Sequence, residues 1–314
     1  MTSDLSQPVT PAVPQSEASC WVCGHAEAVL WKARNLEREL LPEDFSITDR
    51  RYGVTLKLFQ CQQCHFIYAD GDEVSELITL YEQLEDESYE KTQPARALQM
   101  RWLLDRALKL HPQARSLIDI GAGAGLLVSE ARQRGLEAVG VEPSRSLVDA
   151  ARRIYGLQLS CGVFPHQELA QRRFDLIMLV DVIEHVSEPL QLLRHCQESL
   201  AEGGRLVVVT PDVSSLAARI LGRRWWHLRL AHVGYFSSRT LQRAAKNAGL
   251  AEVRCFRAKW FFPVEYLAQR LESYLPIAWW NRLAIKLPLL RWCYRQVVPL
   301  NLRDSIVSIF QSNQ

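Results

Sequence analysis

The chain has 314 residues, a formal net charge of +2 and a hydrophobic fraction of 48%, enough apolar material for one large α/β domain plus a small module. No apolar run is long enough to span a membrane and the polar N-terminus lacks a signal-peptide pattern, so a cytoplasmic setting is expected. The near-neutral charge points neither toward nucleic acid nor away from it.

Residues 1–18, rich in Ser, Thr, Pro and Gln, are expected to be a disordered tail. Residues 19–70 carry Cys20-Trp-Val-Cys23 and Cys61-Gln-Gln-Cys64. Two such knuckles suit one tetrahedral zinc, because each presents two sulfurs to the same side of the ion. With Cys20, Cys23, Cys61 and Cys64 all bound, the centre is closed, hence structural. Disulfides are the competing reading, which a cytosolic chain disfavours. Cys161, Cys196, Cys255 and Cys293 lie singly in apolar surroundings and read as buried thiols.

Residues 71–113 form a helical connector. Its acidic part, 71–91, reads as a solvated spacer. Ala95 to Lys109 has apolar residues at helical spacing and is expected to cover a ligand pocket. From residue 114 to 314, strands at Leu117–Ile120, Ala138–Val141, Leu157–Ser160, Phe174–Val180 and Gly204–Thr210 alternate with helices, which predicts a parallel sheet wrapped on both faces. Strands at Glu252–Ala258 and Asp304–Phe310 follow.

The run Ser116-Leu-Ile-Asp-Ile-Gly-Ala-Gly-Ala-Gly-Leu126 reads as strand, tight turn and helix, with Gly121 and Gly123 allowing a ligand to approach the backbone. The next strand ends in Glu142, whose carboxylate suits both hydroxyls of a ribose. Leu126 stands where a dinucleotide fingerprint has its third glycine.

This Asp-x-Gly-x-Gly-x-Gly spacing resembles motif I of the class I S-adenosylmethionine-dependent methyltransferases. The resemblance implies a seven-stranded Rossmann-like sheet and S-adenosylmethionine held by Asp119, Gly121, Ala122, Gly123, Gly125, Glu142, Pro143 and Asp181. Phe174-Asp175-Leu-Ile, Asp181-Val-Ile-Glu184-His185-Val and Leu200 to Pro211 are similar to later motifs of the ubiquinone-biosynthesis-type enzymes. A zinc module ahead of such a domain resembles the bacterial sugar methyltransferases.

Asp181, Glu184, His185 and His232 are the expected catalytic residues. Some relatives bind a divalent ion through a similar cluster, and here the reading stays open between a second divalent ion, a metal-free histidine base and a structural cap. Arg223, Arg224, His227 and Tyr235, on a basic aromatic segment, are the expected substrate contacts. An insertion at about 261–303 mixes Trp, Leu and Arg, which suits a membrane surface, a lid or a homodimer contact.

Three functions follow as expectations. The first is methyl transfer to a small molecule, with a sugar, nucleotide sugar or lipid-linked sugar foremost, in the cytoplasm or peripheral at the inner membrane face. The second is an RNA methyltransferase gripping nucleic acid through the zinc module, disfavoured by the absence of a basic stripe around the knuckles. The third is a non-catalytic cofactor-binding protein.

Overall fold

The computed structural model describes residues 19–45, 52–74, 77–83, 93–272 and 287–313. The tail 1–18, part of the acidic segment and the middle of the insertion, including Trp279 and Trp280, lie outside the described residues.

Numbering is in chain order. The N-terminal part contributes β1 (Ala28–Lys32), β2 (Leu58–Cys61) and β3 (Ile67–Ala69), then helices α1 (Gly71–Val74), α2 (Leu77–Glu82) and α3 (Gln93–Leu110). The larger part follows as β4 (Ser116–Ile120), α4 (Leu126–Gln133), β5 (Glu137–Glu142), α5 (Arg145–Tyr155), β6 (Ser160–Cys161), β7 (Phe174–Val180), α6 (Pro189–Glu198), β8 (Leu200–Pro211), α7 (Leu216–Leu221), β9 (Gly234–Tyr235), α8 (Ser238–Asn247) and β10 (Leu250–Arg257). A hairpin of β11 (Trp260–Pro263) and β12 (Val297–Leu300) encloses α9 (Val264–Leu271) and α10 (Pro288–Tyr294), and β13 (Ser305–Ser312) ends the chain's described structure.

Seven strands form one sheet in the order β10-β13-β8-β7-β4-β5-β6. β8, β7, β4, β5 and β6 run parallel, while β13 is antiparallel to both of its neighbours. Strand order reverses direction at β4 and β7, and such a switch point opens a crevice at the carboxyl ends. The seven-stranded expectation holds.

Two local departures have physical causes. The third expected strand shrinks to Ser160–Cys161 because Leu157 belongs to the end of α5. Gly156 takes a left-handed conformation (φ 66°) and the Leu157 N–H donates to Ala151 O at 3.3 Å, a helix stop that withholds Leu157 from the ladder. Helix α3 packs against α4 and β11 with Met100, Leu103, Leu104 and Ala107 in the core. It covers a face of the sheet, and only Arg96 from it reaches the cavity described below.

A second, smaller sheet has the order β1-β2-β3-β9. Its first three strands belong to the cysteine module, and its fourth comes from the larger domain, with Ile67 opposite Tyr235 and Tyr68 opposite Gly234.

Gly140 marks the tightest contact between β5 and α4. A Cβ there would lie 2.8 Å from Ala122 Cβ and 3.0 Å from Val128 Cγ2. Gly140→Ala is therefore expected to destabilise the fold by about 1–3 kcal/mol through overpacking, read as a lower Tm in thermal unfolding.

Candidate functional site

A cavity of about 1230 Å³ opens at the carboxyl ends of β4, β5, β7 and β8. Its floor is the glycine turn. The N–H groups of Gly121 and Ala122 both donate to Val141 O, at 2.9 and 3.0 Å, fastening the turn to β5. Gly121 is left-handed (φ 73°), and a Cβ on it would lie 2.6 Å from Val182 Cγ2, so only glycine fits between the turn and the loop after β7.

Of the eight residues expected at the cofactor, Gly121, Gly123, Pro143 and Asp181 line the cavity. Ala122 and Gly125 are structural, Gly125 serving as N-cap of α4 at φ 77°. Asp119 is buried under the turn and does not line the cavity, and desolvation aided by the Glu142 charge pushes its carboxyl up to about 8. Glu142 is also fully buried. Its two oxygens accept from the Gly123 N–H at 2.8 Å and the Ser144 N–H at 2.9 Å, and Tyr81 adds a side-chain hydrogen bond. Desolvation nevertheless raises Glu142 to about 7. Tyr81 on α2 thus contacts the carboxylate that the sequence expects to meet a ribose.

Tyr81, with Gly71, Val74 and Leu77, lines the cavity. The described residues of that acidic segment, 71–74 and 77–83, accordingly contribute to the cavity wall, in place of the solvated spacer expected from their acidity. Trp21 of the first cysteine knuckle and Ser19 line it too.

At the other end stands the loop after β7. Asp181 is left-handed (φ 54°), exposed and in the cavity lining. Desolvation raises its carboxyl, opposed chiefly by nearby His227. A single 3₁₀ turn over Ile183–His185, not an α-helix, follows. It buries Glu184, whose Oε2 accepts from Thr210 Oγ1 at 2.9 Å while Oε1 has no hydrogen-bond partner. Burial, then the Asp181 charge, holds Glu184 well above the usual carboxylate range.

The histidines move the other way. His185 Nδ1 lies 2.7 Å from Ala231 O, which assigns the proton to Nδ1 and leaves Nε2 a lone pair. Desolvation lowers His185 to about 4 and pushes His232 well below its ordinary value. The two rings meet edge-on at 4.8 Å between centroids, and His232 Nδ1 is buried with no partner. Glu184, His185 and His232 bring one ligand atom each within 4.8 Å of one another. Asp181 is outside this group, so the expected four-residue ion site contracts to three.

The substrate expectations divide. His227 lines the cavity and Asp304 lies 3.4 Å from its Nε2, while Trp226 Nε1 donates to the same carboxylate at 2.9 Å. Arg223 and Arg224 are exposed and do not line the cavity. Tyr235 is buried in the small sheet, its hydroxyl donating to Arg229 O at 3.3 Å. Arg229 and Arg96 line the cavity instead. Their sequence surroundings carry no motif that singles them out. Asp304 was equally hidden, reading as the first residue of a strand.

The cysteines meet as the knuckles imply. Cys20 and Cys64 sulfurs are 3.5 Å apart, as are those of Cys23 and Cys61, and all four lie within 4.8 Å of one another. Zinc–sulfur bonds of about 2.3 Å place tetrahedral sulfurs roughly 3.8 Å apart, so the donor set fits. All eight cysteines are free thiols in the structure, and Cys255 is exposed instead of buried.

A methyltransferase-domain profile matches residues 92–254, just over half of the chain. The chain belongs to that family. Its sheet and glycine turn are those of the class I S-adenosylmethionine-dependent methyltransferases. Among curated proteins, this methyltransferase is similar to the ubiquinone biosynthesis O-methyltransferase of Cereibacter sphaeroides, at 33% identity over 128 residues, covering 38% of this chain and 52% of the relative. The protein of the same name from Bradyrhizobium sp. is 32% identical over 123 residues, covering 38% and 44%. The chain spans about half the length of the curated relatives it matches. A solved methyltransferase from Archaeoglobus fulgidus is 17% identical, with a TM-score of 0.49 over 72% of this chain and 100% of that one.

Asp119 makes stability depend on pH. Its folded carboxyl holds a proton up to about 8, against an ordinary value of 3.8, so between those values the folded state binds more protons than the unfolded one. Stability from this group is lost as pH rises, by at most about 1.4 kcal/mol per pH unit. Asp119→Asn is expected to flatten the fall in Tm between pH 5 and 8 and to raise Tm at pH 8, as followed by calorimetry across that range.

Proposed function

We propose that this methyltransferase moves the methyl of S-adenosylmethionine onto an oxygen of a small-molecule hydroxyl acceptor, with a divalent cation held by Glu184, His185 and His232. One observation carries the reading: three donor atoms converge at the cavity wall, and Glu184 Oε1 and His232 Nδ1 have no hydrogen-bond partner. Buried polar atoms are seldom left unsatisfied without a role. The His185 bond to Ala231 O is the outer contact that fixes a ligating imidazole. The relatives named O-methyltransferases support an oxygen acceptor. Their names give no support to the sugar expected from the zinc module, so sugar hydroxyls remain one arm of the test.

The chain's own residues would divide the work between donor and acceptor. The turn at Gly121 and Gly123 lets the methionine part approach the backbone, and Glu142 would exchange its Tyr81 contact for the ribose. Asp181, open between the two ends, offers negative charge to the sulfonium. A bound divalent cation supplies acidification of the acceptor hydroxyl. Glu184, His185 and His232 fix the acceptor oxygen relative to the methyl, which is most of what a sulfonium transfer asks of a protein. His227, held by Asp304, lies on the same wall, and desolvation, aided by the Arg229 charge, keeps the neighbouring His185 and His232 neutral.

Methyl transfer from labelled S-adenosylmethionine to a panel of phenols and sugars should depend on Mg²⁺ or Mn²⁺. His232→Ala should lower kcat at least about 100-fold and abolish Mn²⁺ binding seen by electron paramagnetic resonance, with cofactor affinity intact. Full activity in this variant, or in the metal-stripped enzyme, refutes the metal-assisted reading.

The four cysteines are proposed to hold one structural zinc, as their spacing and thiol state support. Metal analysis should find one zinc per chain, retained in His232→Ala and lost in Cys61→Ser together with a lower Tm. Zinc-free wild-type protein of unchanged Tm would count against it.

A further inference from the structure

His227 has the cavity on one side and a buried carboxylate on the other. Its side chain is 24% exposed and lies in the cavity lining, while Asp304, at 3%, stands 3.4 Å from its Nε2. The chain holds this carboxylate in place from several directions. Trp226 Nε1 donates to the same oxygen, Oδ2, at 2.9 Å, the Asp212 N–H donates to the Asp304 backbone carbonyl at 2.7 Å, and the next residue, Ser305, pairs with Pro211 in the sheet. Trp225, buried, packs edge-on against the His227 ring at 5.1 Å between centroids. A fixed carboxylate beside Nε2 favours the ring proton on that nitrogen and leaves the lone pair on Nδ1.

The ring also adjoins both ends of the cavity. It lies parallel to the His232 ring within 16°, at 5.9 Å between centroids. Of the side chains that act on Asp181 through charge, His227 acts most strongly. His227 therefore neighbours the residue expected at the sulfonium and one expected at the acceptor oxygen. The other imidazoles of the wall are committed. His185 Nδ1 is turned to Ala231 O at 2.7 Å, and its second nitrogen and His232 belong to the cation group with Glu184.

From this arrangement we infer that His227 is the base that takes the proton of the acceptor hydroxyl, with Asp304 as the positioning residue that offers its Nδ1 for the task. The inference rests on the methyl-transfer reading above and adds the destination of the proton. As the methyl moves, the acceptor O–H bond breaks and its proton goes to Nδ1. An oxygen lone pair forms the O–CH₃ bond, and the C–S bond breaks with its electron pair left on sulfur, so the sulfonium becomes a neutral thioether. Asp304 then faces an imidazolium and offsets its charge. The proton passes to solvent when the product leaves.

Kinetics and ring NMR separate this role from packing. With the phenol or sugar that the wild type methylates fastest, His227→Ala should lower kcat at least about 100-fold with KM within about threefold of wild type. Mn²⁺ binding seen by electron paramagnetic resonance and S-adenosylmethionine affinity should be unchanged. Added imidazole should raise the rate of this variant at least about tenfold, a response that lost packing cannot give. Asp304→Asn should lower kcat at least about tenfold, and Asp304→Glu should recover part of the loss. In protein carrying ¹⁵N in its histidine rings, the His227 signal, identified by its absence in His227→Gln, should report a protonated Nε2 and a bare Nδ1. Asp304→Asn should remove that preference, a readout that needs neither acceptor nor cation. A proton on Nδ1 in the wild type, wild-type kcat in His227→Ala, or no rescue by imidazole overturns the inference. Loss of kcat in His227→Ala of an enzyme that binds no Mn²⁺ would refute the metal-assisted reading and support this one.

Discussion

The backbone of Val233 ties the two parts of the molecule together. Its N–H donates to Glu184 O and its carbonyl accepts from the Ala69 N–H, both at 2.8 Å. One residue thereby joins the loop after β7, which carries the buried carboxylate and His185, to the last strand of the cysteine module. Phe66 adds a ring contact to Phe236 at 4.7 Å just beyond, and Asn247 on α8 reaches back to Val22 O in the first knuckle at 2.9 Å. His232 is the residue before Val233, so its place in the cavity is set by a pairing whose other strand leads directly to Cys61 and Cys64. The module is part of the cavity wall, with Trp21 in the lining. A metal that fixes the knuckles would also fix the registry of β3 against β9.

Desolvation organises the cavity more than any pairwise contact does. It raises Asp119, Glu142, Asp181 and Glu184 and lowers His185 and His232. The residues gather carboxyl groups that would rather be neutral beside imidazoles that are neutral. Desolvating carboxyl groups is costly even where hydrogen bonds offset part of it, and a site of this composition is relieved by cations. The sulfonium proposed near Asp181 and the divalent cation proposed at Glu184 would be two such cations at two separate points.

What was legible in the sequence followed from local pattern. The apolar run Leu117 to Ile120, the glycines after it and Glu142 at the next strand end specify a turn whose backbone geometry admits few alternatives, and β7 forms over the expected Phe174–Val180. The cysteine spacing was equally informative, since each knuckle is a local object. The failures share one cause: they depend on residues far apart in sequence. Tyr81 reads as part of an acidic surface helix until folding sets it against Glu142, 61 positions later. Arg223 and Arg224 look like substrate ligands beside two tryptophans, yet Trp225 is buried in the core and turns the arginines outward. Asp304 reaches His227 only because β13 inserts antiparallel beside β8.

That insertion explains why the His227 side of the cavity is assembled from so many segments. β13 places Ser305 opposite Pro211, so the residue before it, Asp304, falls beside the start of the α7 loop, and the Asp212 N–H donates to Asp304 O at 2.7 Å. Asp212 in turn accepts from Arg257 at the end of β10. The β11–β12 hairpin grows from this same edge, between β10 and β13. Chain inserted there leaves undisturbed the parallel strands that carry the glycine turn. Strand order alone thus separates the glycine turn from the edge that bears the insertion.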